Sequence, residues 1–137
     1  MGLTADVSLA VATCLLSAEA LRIVANPPNP RVGQSVSFSL QDFDYPYICF
    51  WSRGNKFNKG SMIFQVEAGR LVRTGGGFTG REHLGKDCAI TINNLQASDS
   101  IDYNVIILDG KPFLNQRWRD TLIRLHVASE YQKDGSS

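Results

Sequence analysis

From residue 21 onward the apolar positions of this chain recur every second residue, not every third or fourth. Val36, Phe38 and Leu40 alternate with Ser35, Ser37, Ser39 and Gln41, and Ile90 and Ile92 with Ala89, Thr91 and Asn93. Tyr103, Val105 and Ile107 alternate with Asn104, Ile106 and Leu108, and Ile123, Leu125 and Val127 with Arg124 and His126. Successive strand side chains point to opposite faces, so this alternation predicts strands that bury one face. Turn signals separate the runs: Pro27-Pro28 with Pro30, Asp44-Tyr45-Pro46, Gly54-Asn55, Gly75-Gly76-Gly77 and Asp109-Gly110. No segment shows the 3.6-residue period of an amphipathic helix. The pattern predicts an all-β sandwich.

The strands are predicted at 21–24, resuming after the prolines at 31–32 (A), then 35–41 (B), 47–53 (C), 61–67 (C′), 70–73 (C″), 78–82 (D), 88–94 (E), 101–108 (F) and 119–127 (G). That count, with its extra C′–C″ pair, is the variable-type immunoglobulin count. It implies two antiparallel sheets, A-B-E-D and G-F-C-C′-C″.

The first 20 residues break the pattern. An apolar run from Val7 to Leu16 is interrupted only by Ser8 and Thr13 and ends at Ala18-Glu19-Ala20. A small-x-small ending after such a run predicts a secretory signal peptide over 1–20. A buried N-terminal helix is the competing reading, and the run is too short to span a bilayer. The domain is then 21–127, with 128–137 a polar tail or stalk stub. No later stretch is long and apolar enough to cross a membrane, so an extracellular protein, secreted or at the cell surface, is expected. Cys14 would leave with the leader, and an even pair, Cys49 and Cys88, would remain. The formal net charge of +1 gives no reason to expect nucleic acid or an acidic membrane as partner.

Three features have immunoglobulin spacing. Trp51 lies mid-strand where a core indole belongs. Tyr103 is placed for a tyrosine corner. Arg81 precedes Asp99 by 18 residues, so the two would face each other as a bidentate pair at the base of the sandwich. The usual B–F disulfide is missing. Leu40 and Val105 occupy its positions and are expected to touch as an apolar plug under Trp51, which forgoes about 2–4 kcal/mol of cross-link stabilisation.

These residues resemble the N-terminal V-type domain of the carcinoembryonic-antigen-related cell adhesion molecule family, which includes the pregnancy-specific glycoproteins. The likeness runs from Leu21 to about Val127. Gly33 through Leu40 is similar to that family's cysteine-free B strand. Trp51-Ser52-Arg53-Gly54 resembles its Trp-Tyr-Lys-Gly, and Gly80-Arg81-Glu82 its Gly-Arg-Glu. Asp99 through Val105 resembles its Asp-Thr-Gly-Phe-Tyr-Thr-Leu. One departure is that no Asn-x-Ser/Thr sequon occurs anywhere in the chain. The resemblance implies a role in extracellular recognition and adhesion. The partner would be a protein, either a second copy in a homodimer or a related immunoglobulin-domain receptor.

Parity assigns the outward face of C, C′, F and G to Tyr47, Phe50, Ser52, Phe57, Met62, Phe64, Ile106 and Leu108. Apolar side chains on a solvent-facing sheet form a patch suited to a partner. In the resembled family this face makes the contacts, and these residues fall at or near its contact positions. The competing reading has some of them turned inward or lying under the F–G loop. Cys49 and Cys88 share inward parity, and either a cross-core bridge or two buried thiols would suit them. In the F–G loop, 109–119, Lys111, Phe113, Arg117 and Trp118 resemble a paratope, but Trp118 packing over strand G is the simpler reading.

Little here suggests catalysis. His83 and His126 are the only histidines, and neither has an adjacent nucleophile. No cysteine–histidine spacing suits a metal, and Gly75-Gly76-Gly77 lacks what a phosphate loop requires, so no cofactor is expected. The glycines read as a flexible C″–D connection. The function expected is protein–protein recognition through the C-C′-F-G face. The alternatives are a secreted decoy or immunomodulatory ligand for a receptor, and a small-ligand carrier or enzyme on the same scaffold.

Overall fold

The computed structural model describes residues 20–129. The expected leader, apart from Ala20, and the tail beyond Ser129 lie outside the described residues. Among the described residues nine strands form: β1 (Arg22–Asn26), β2 (Val36–Gln41), β3 (Pro46–Arg53), β4 (Met62–Glu67), β5 (Arg70–Thr74), β6 (Glu82–Leu84), β7 (Ile90–Ile92), β8 (Asp102–Asp109) and β9 (Arg117–Arg124). They make a four-stranded sheet, β1-β2-β7-β6, and a five-stranded sheet, β5-β4-β3-β8-β9. Every pairing between these strands is antiparallel, and a single parallel bridge, Arg31 to Ala128, lies outside them. In lettered terms these are A-B-E-D and C″-C′-C-F-G, the variable-type arrangement.

The period-two residues fill the space between the sheets. Val36 and Phe38 of β2, Trp51 of β3, Ile90 and Ile92 of β7, and Tyr103, Val105 and Ile107 of β8 are all buried. Each such side chain contributes about 1.5–3 kcal/mol when withdrawn from water. The ring that stacks on Trp51 is one the spacing did not single out. Leu40 and Val105 are both in the core, but Phe38 stacks on Trp51 at 5.9 Å and lies 5.2 Å from Tyr103. Leu40 sits one pleat further on, opposite Ile23 of β1.

Cys49 and Cys88 are joined as a disulfide, with Cα atoms 6.5 Å apart. Sheets normally pack about 10 Å apart, so the backbone must be drawn in locally. It is: a short 3-10 turn, Lys86–Cys88, holds Asp87 at φ 53° and Cys88 at φ 60°. The carbonyl of Cys88 accepts a 2.8 Å bond from Trp51 Nε1, which ties the indole to the bridge. The covalent tie between the sheets runs from β3 to the turn before β7, where the usual immunoglobulin plan joins B to F.

Three strand predictions are corrected. The fourth strand of the smaller sheet is Glu82–Leu84, not 78–82, because 78–81 is spent on turns. Phe78 N bonds Gly75 O, Gly80 takes φ 91°, and the Glu82 carboxylate caps Thr79 N at 2.8 Å. The strand predicted at 88–94 shortens to Ile90–Ile92, since 86–88 forms the turn that carries the disulfide. The last strand starts at Arg117, so the connection from β8 is a hairpin over 110–116. Gly75-Gly76-Gly77 is also no loose tether. A Cβ on Gly75 would lie 2.7 Å from Met62 O, and one on Gly76 2.7 Å from Gly60 O, so glycine is required by close backbone approach.

Candidate recognition face

The register of the five-stranded sheet sorts its side chains. Cys49, Trp51 and Arg53 of β3 point inward, which leaves Ile48, Phe50 and Ser52 on the outer face. Across the strands Ile48 lies beside Leu108 and Trp118, Phe50 beside Ile106 and Asp120, and Ser52 beside Asn104 and Leu122. Residues directly opposite share a face. The result is an apolar band across β3, β8 and β9, in which Trp118 is 57% exposed and Leu122 51%. The β3–β4 turn adds Phe57, which is 42% exposed and meets Phe50 edge-on at 5.1 Å. Phe50 also lies 6.3 Å from the Trp118 ring. Ile48, Phe50, Ile106 and Leu108 are half-buried.

The structure divides the eight residues assigned to this face. Phe50, Phe57, Ile106 and Leu108 lie together on it. Tyr47 is half-buried in a bulge at the end of β3, its ring 6.3 Å from Tyr45. Phe64, Met62 and Ser52 are corrections. A bulge between Trp51 and Ser52 shifts the pairing, so Phe64 faces Trp51 and enters the core at 2% exposure. Met62 is opposite Ser52 and buried, and Ser52, though of outward parity, is covered completely. None of these three can contact a partner as placed. The face also holds three residues not expected on it, Ile48, Leu122 and Trp118, the last in β9 and not in the loop expected over 109–119. Simple alternation through 117–124 would have found the last two.

Beneath the face, at one end of the sandwich, lies a charged cluster. Arg81 donates to both Asp99 carboxylate oxygens, at 2.8 and 3.0 Å. Arg53 donates to Asp99 at 2.9 Å, to Glu82 at 2.5 Å and to the Tyr103 hydroxyl at 3.0 Å. The Tyr103 hydroxyl donates to Asp99 O at 2.8 Å, which closes the tyrosine corner. Burial alone would raise the Asp99 pKa, but Arg81, the Gln96 amide and Arg53 hold it below the usual range. Burial opposes ionisation of Glu82 likewise, and Thr79 and Arg53 overcome it. Burial pushes the Tyr103 phenol up to about 12, so it remains a neutral donor. Arg53 and Glu82 had been given no role. An arginine of inward parity, two residues after Trp51, was the available signal.

At the other end Asp109 is buried. It accepts from Asp44 N and Tyr45 N, at 2.9 and 2.8 Å, and from Arg119 at 2.7 Å. The face thus lies between two buried ionic anchors. The hairpin beyond it presents Phe113 fully exposed.

No family model matches the sequence. It aligns with the cell adhesion molecule CEACAM16 of Rattus norvegicus and of Mus musculus, at 28% identity over 98 residues in each. The alignment covers 69% of this chain but 23% of each relative, so the chain spans under a quarter of their length. Among solved structures, murine CEACAM1b superposes with a TM-score of 0.69 at 20% identity, over 80% of this chain and 54% of that one. The chain is a V-type immunoglobulin domain similar to those of the CEACAM proteins. A complex of the mouse coronavirus receptor-binding domain with its murine receptor also matches this CEACAM-like domain, with a TM-score of 0.66 at 19% identity, over 80% and 54% of the two chains. The domain differs from the usual immunoglobulin plan in its bridge, which joins C to the turn before E in place of B–F. Among its described residues no helix is long and apolar enough to cross a membrane.

Proposed function

We propose that this domain is an extracellular protein-recognition module that meets a second copy, or a related immunoglobulin domain, through the outer face of β3, β8 and β9. The observation that carries the reading is the band of Phe50, Ile106, Leu108, Trp118, Leu122 and Phe57. Contiguous apolar surface of this kind marks contact sites, and aromatic anchors dominate their energetics. The buried disulfide suits an oxidising compartment. The relatives are named for cell adhesion and for reception of a viral domain, and both are protein binding. No enzymatic step is called for.

Sedimentation of the native chain and of Ile106→Arg tests it. A charge at the centre of the band should weaken association by about 30-fold or more, as loss of an interface hot spot does. The thermal midpoint should stay nearly unchanged, since Ile106 points away from the core. Undiminished self-association and undiminished binding to a related domain would refute the face assignment.

A further inference from the structure

One row of side chains crosses the whole outer face. Arg73 of β5 lies opposite Gln65 of β4, Gln65 opposite Phe50 of β3, Phe50 opposite Ile106 of β8, and Ile106 opposite Asp120 of β9. Residues directly opposite share a face, so the row reads base, amide, ring, aliphatic, acid. Neighbouring strands lie about 4.8 Å apart, which sets the base and the acid about 10 Å to either side of Phe50. Both are exposed, and the ion pairs among the described residues take up neither of them. Arg73 is steadied by Gln65, to which its Nε donates at 2.6 Å. It lines a depression of about 420 Å³ together with Lys59, so the basic end carries two cations. The next row runs Arg70, Glu67, Ile48, Leu108, Trp118, again with a cation at the β5 end and here an indole at the β9 end.

We infer that the face is self-complementary and receives a second copy of this chain, about a two-fold axis that runs along β3 through Phe50. In a two-fold dimer the same patch serves both copies, and when two sheets meet face to face the axis lies in the plane between them. An axis along the strands reverses each row. Arg73 of one copy then lies over Asp120 of the other, and the same contact recurs at the opposite end. Phe50 meets Phe50 on the axis, and Gln65 falls over Ile106. In the next row Arg70 falls over Trp118, which suits a cation to an indole. An axis along the row would instead set Asp120 against Asp120 and Arg73 against Arg73, and like charges opposed across an interface weaken it. The apolar centre supplies affinity, and the charged ends select the orientation. The inference rests on the reading that this face meets a partner, and it adds which partner and which way round.

Reversing the charges at the two ends tests it, by sedimentation of the native chain, Asp120→Lys, Arg73→Glu and an equimolar mixture of the two variants. Each variant alone brings like charges together at both ends of its dimer and should self-associate about tenfold more weakly, or worse. In the mixed dimer both ends again hold opposite charges, so the mixture should associate as the native chain does. The double variant Asp120→Lys/Arg73→Glu should do so on its own. Both positions are exposed, so thermal midpoints should hold; should Arg73→Glu fail to fold, Lys59→Glu in the same depression makes the comparison. A mixture no stronger than its parts would overturn the orientation. So would Asp120→Lys binding the native chain more tightly than the native chain binds itself, since like edges would then be meeting. A native chain that stays monomeric would overturn the second copy as occupant. That failure is separate from failure of the face, which stands if binding to a related domain is lost in Ile106→Arg.

Discussion

Breaking the Cys49–Cys88 bridge is the perturbation whose size the structure fixes best. The bridge closes a loop with a sequence separation of 39, containing β4, β5 and β6 together with most of β3. In the chain-entropy account a loop of that length restricts the unfolded chain by about 4 kcal/mol. Domains of this size are stable by only about 5–15 kcal/mol in total. The cross-link should therefore be a large part of what holds the sandwich. Urea unfolding reports it, followed by fluorescence of Trp51, whose Nε1 bonds the Cys88 carbonyl and whose environment changes fully on unfolding. At a slope of about 1.5 kcal/mol/M, reduction of the native chain should lower the midpoint by about 2–3 M. Cys49→Ala/Cys88→Ala should fall somewhat further, because both sulfurs are buried and their removal leaves a void. The difference between the reduced chain and the alanine pair isolates packing from cross-linking. A midpoint shift below about 0.5 M on reduction would mean that the non-covalent core alone sets stability, and the chain-entropy reasoning would fail.

Two other substitutions probe the base and the face. Asp99→Ala leaves Arg53 and Arg81, with side chains 15% and 18% exposed, facing an empty carboxylate position, and should cost about 3–5 kcal/mol in urea unfolding. Asp99 and Glu82 have folded pKa values below their ordinary ones, so their contribution is complete above the usual carboxylate range and is lost as pH falls through the folded values. Native stability should therefore decline as pH drops below about 5, and less steeply in Asp99→Ala; parallel profiles would exclude the cluster as its source. Ser52→Ala removes a buried hydroxyl that has no partner, so it should be neutral or raise stability by about 1 kcal/mol. A loss of stability would show that the hydroxyl is already satisfied.

The sandwich was legible because its strands bury one face. In β2 and β8 the alternation of Val36, Phe38 and Leu40, and of Tyr103, Val105 and Ile107, coincides with the inward positions. The pairing of Arg81 with Asp99 followed from spacing alone. What escaped depends on departures from period two. One bulge, at Trp51/Ser52, carried Phe64 from the expected outer face into the core. The left-handed turn at Asp87 and Cys88 is a backbone event that no hydrophobic pattern encodes, yet it decides that the two cysteines can join. Phe38 was passed over because counting residues back from Trp51 cannot say which of two successive inward positions of β2 stacks on the indole.

The same alternation explains how stability and recognition can coexist on one strand. Along β3 the odd positions Cys49, Trp51 and Arg53 join the second sheet, respectively by a disulfide, a stacked ring and ion pairs. The even positions Ile48, Phe50 and Ser52 take no part in those bonds. Since a strand turns successive side chains to opposite faces, changes at even positions need not disturb the odd ones. The face is therefore free to vary toward a partner while the core and base keep the fold, and the exception tests the rule. Ser52 is the one even position of the three that is fully covered, so a change there bears on packing and not on the surface offered to a partner.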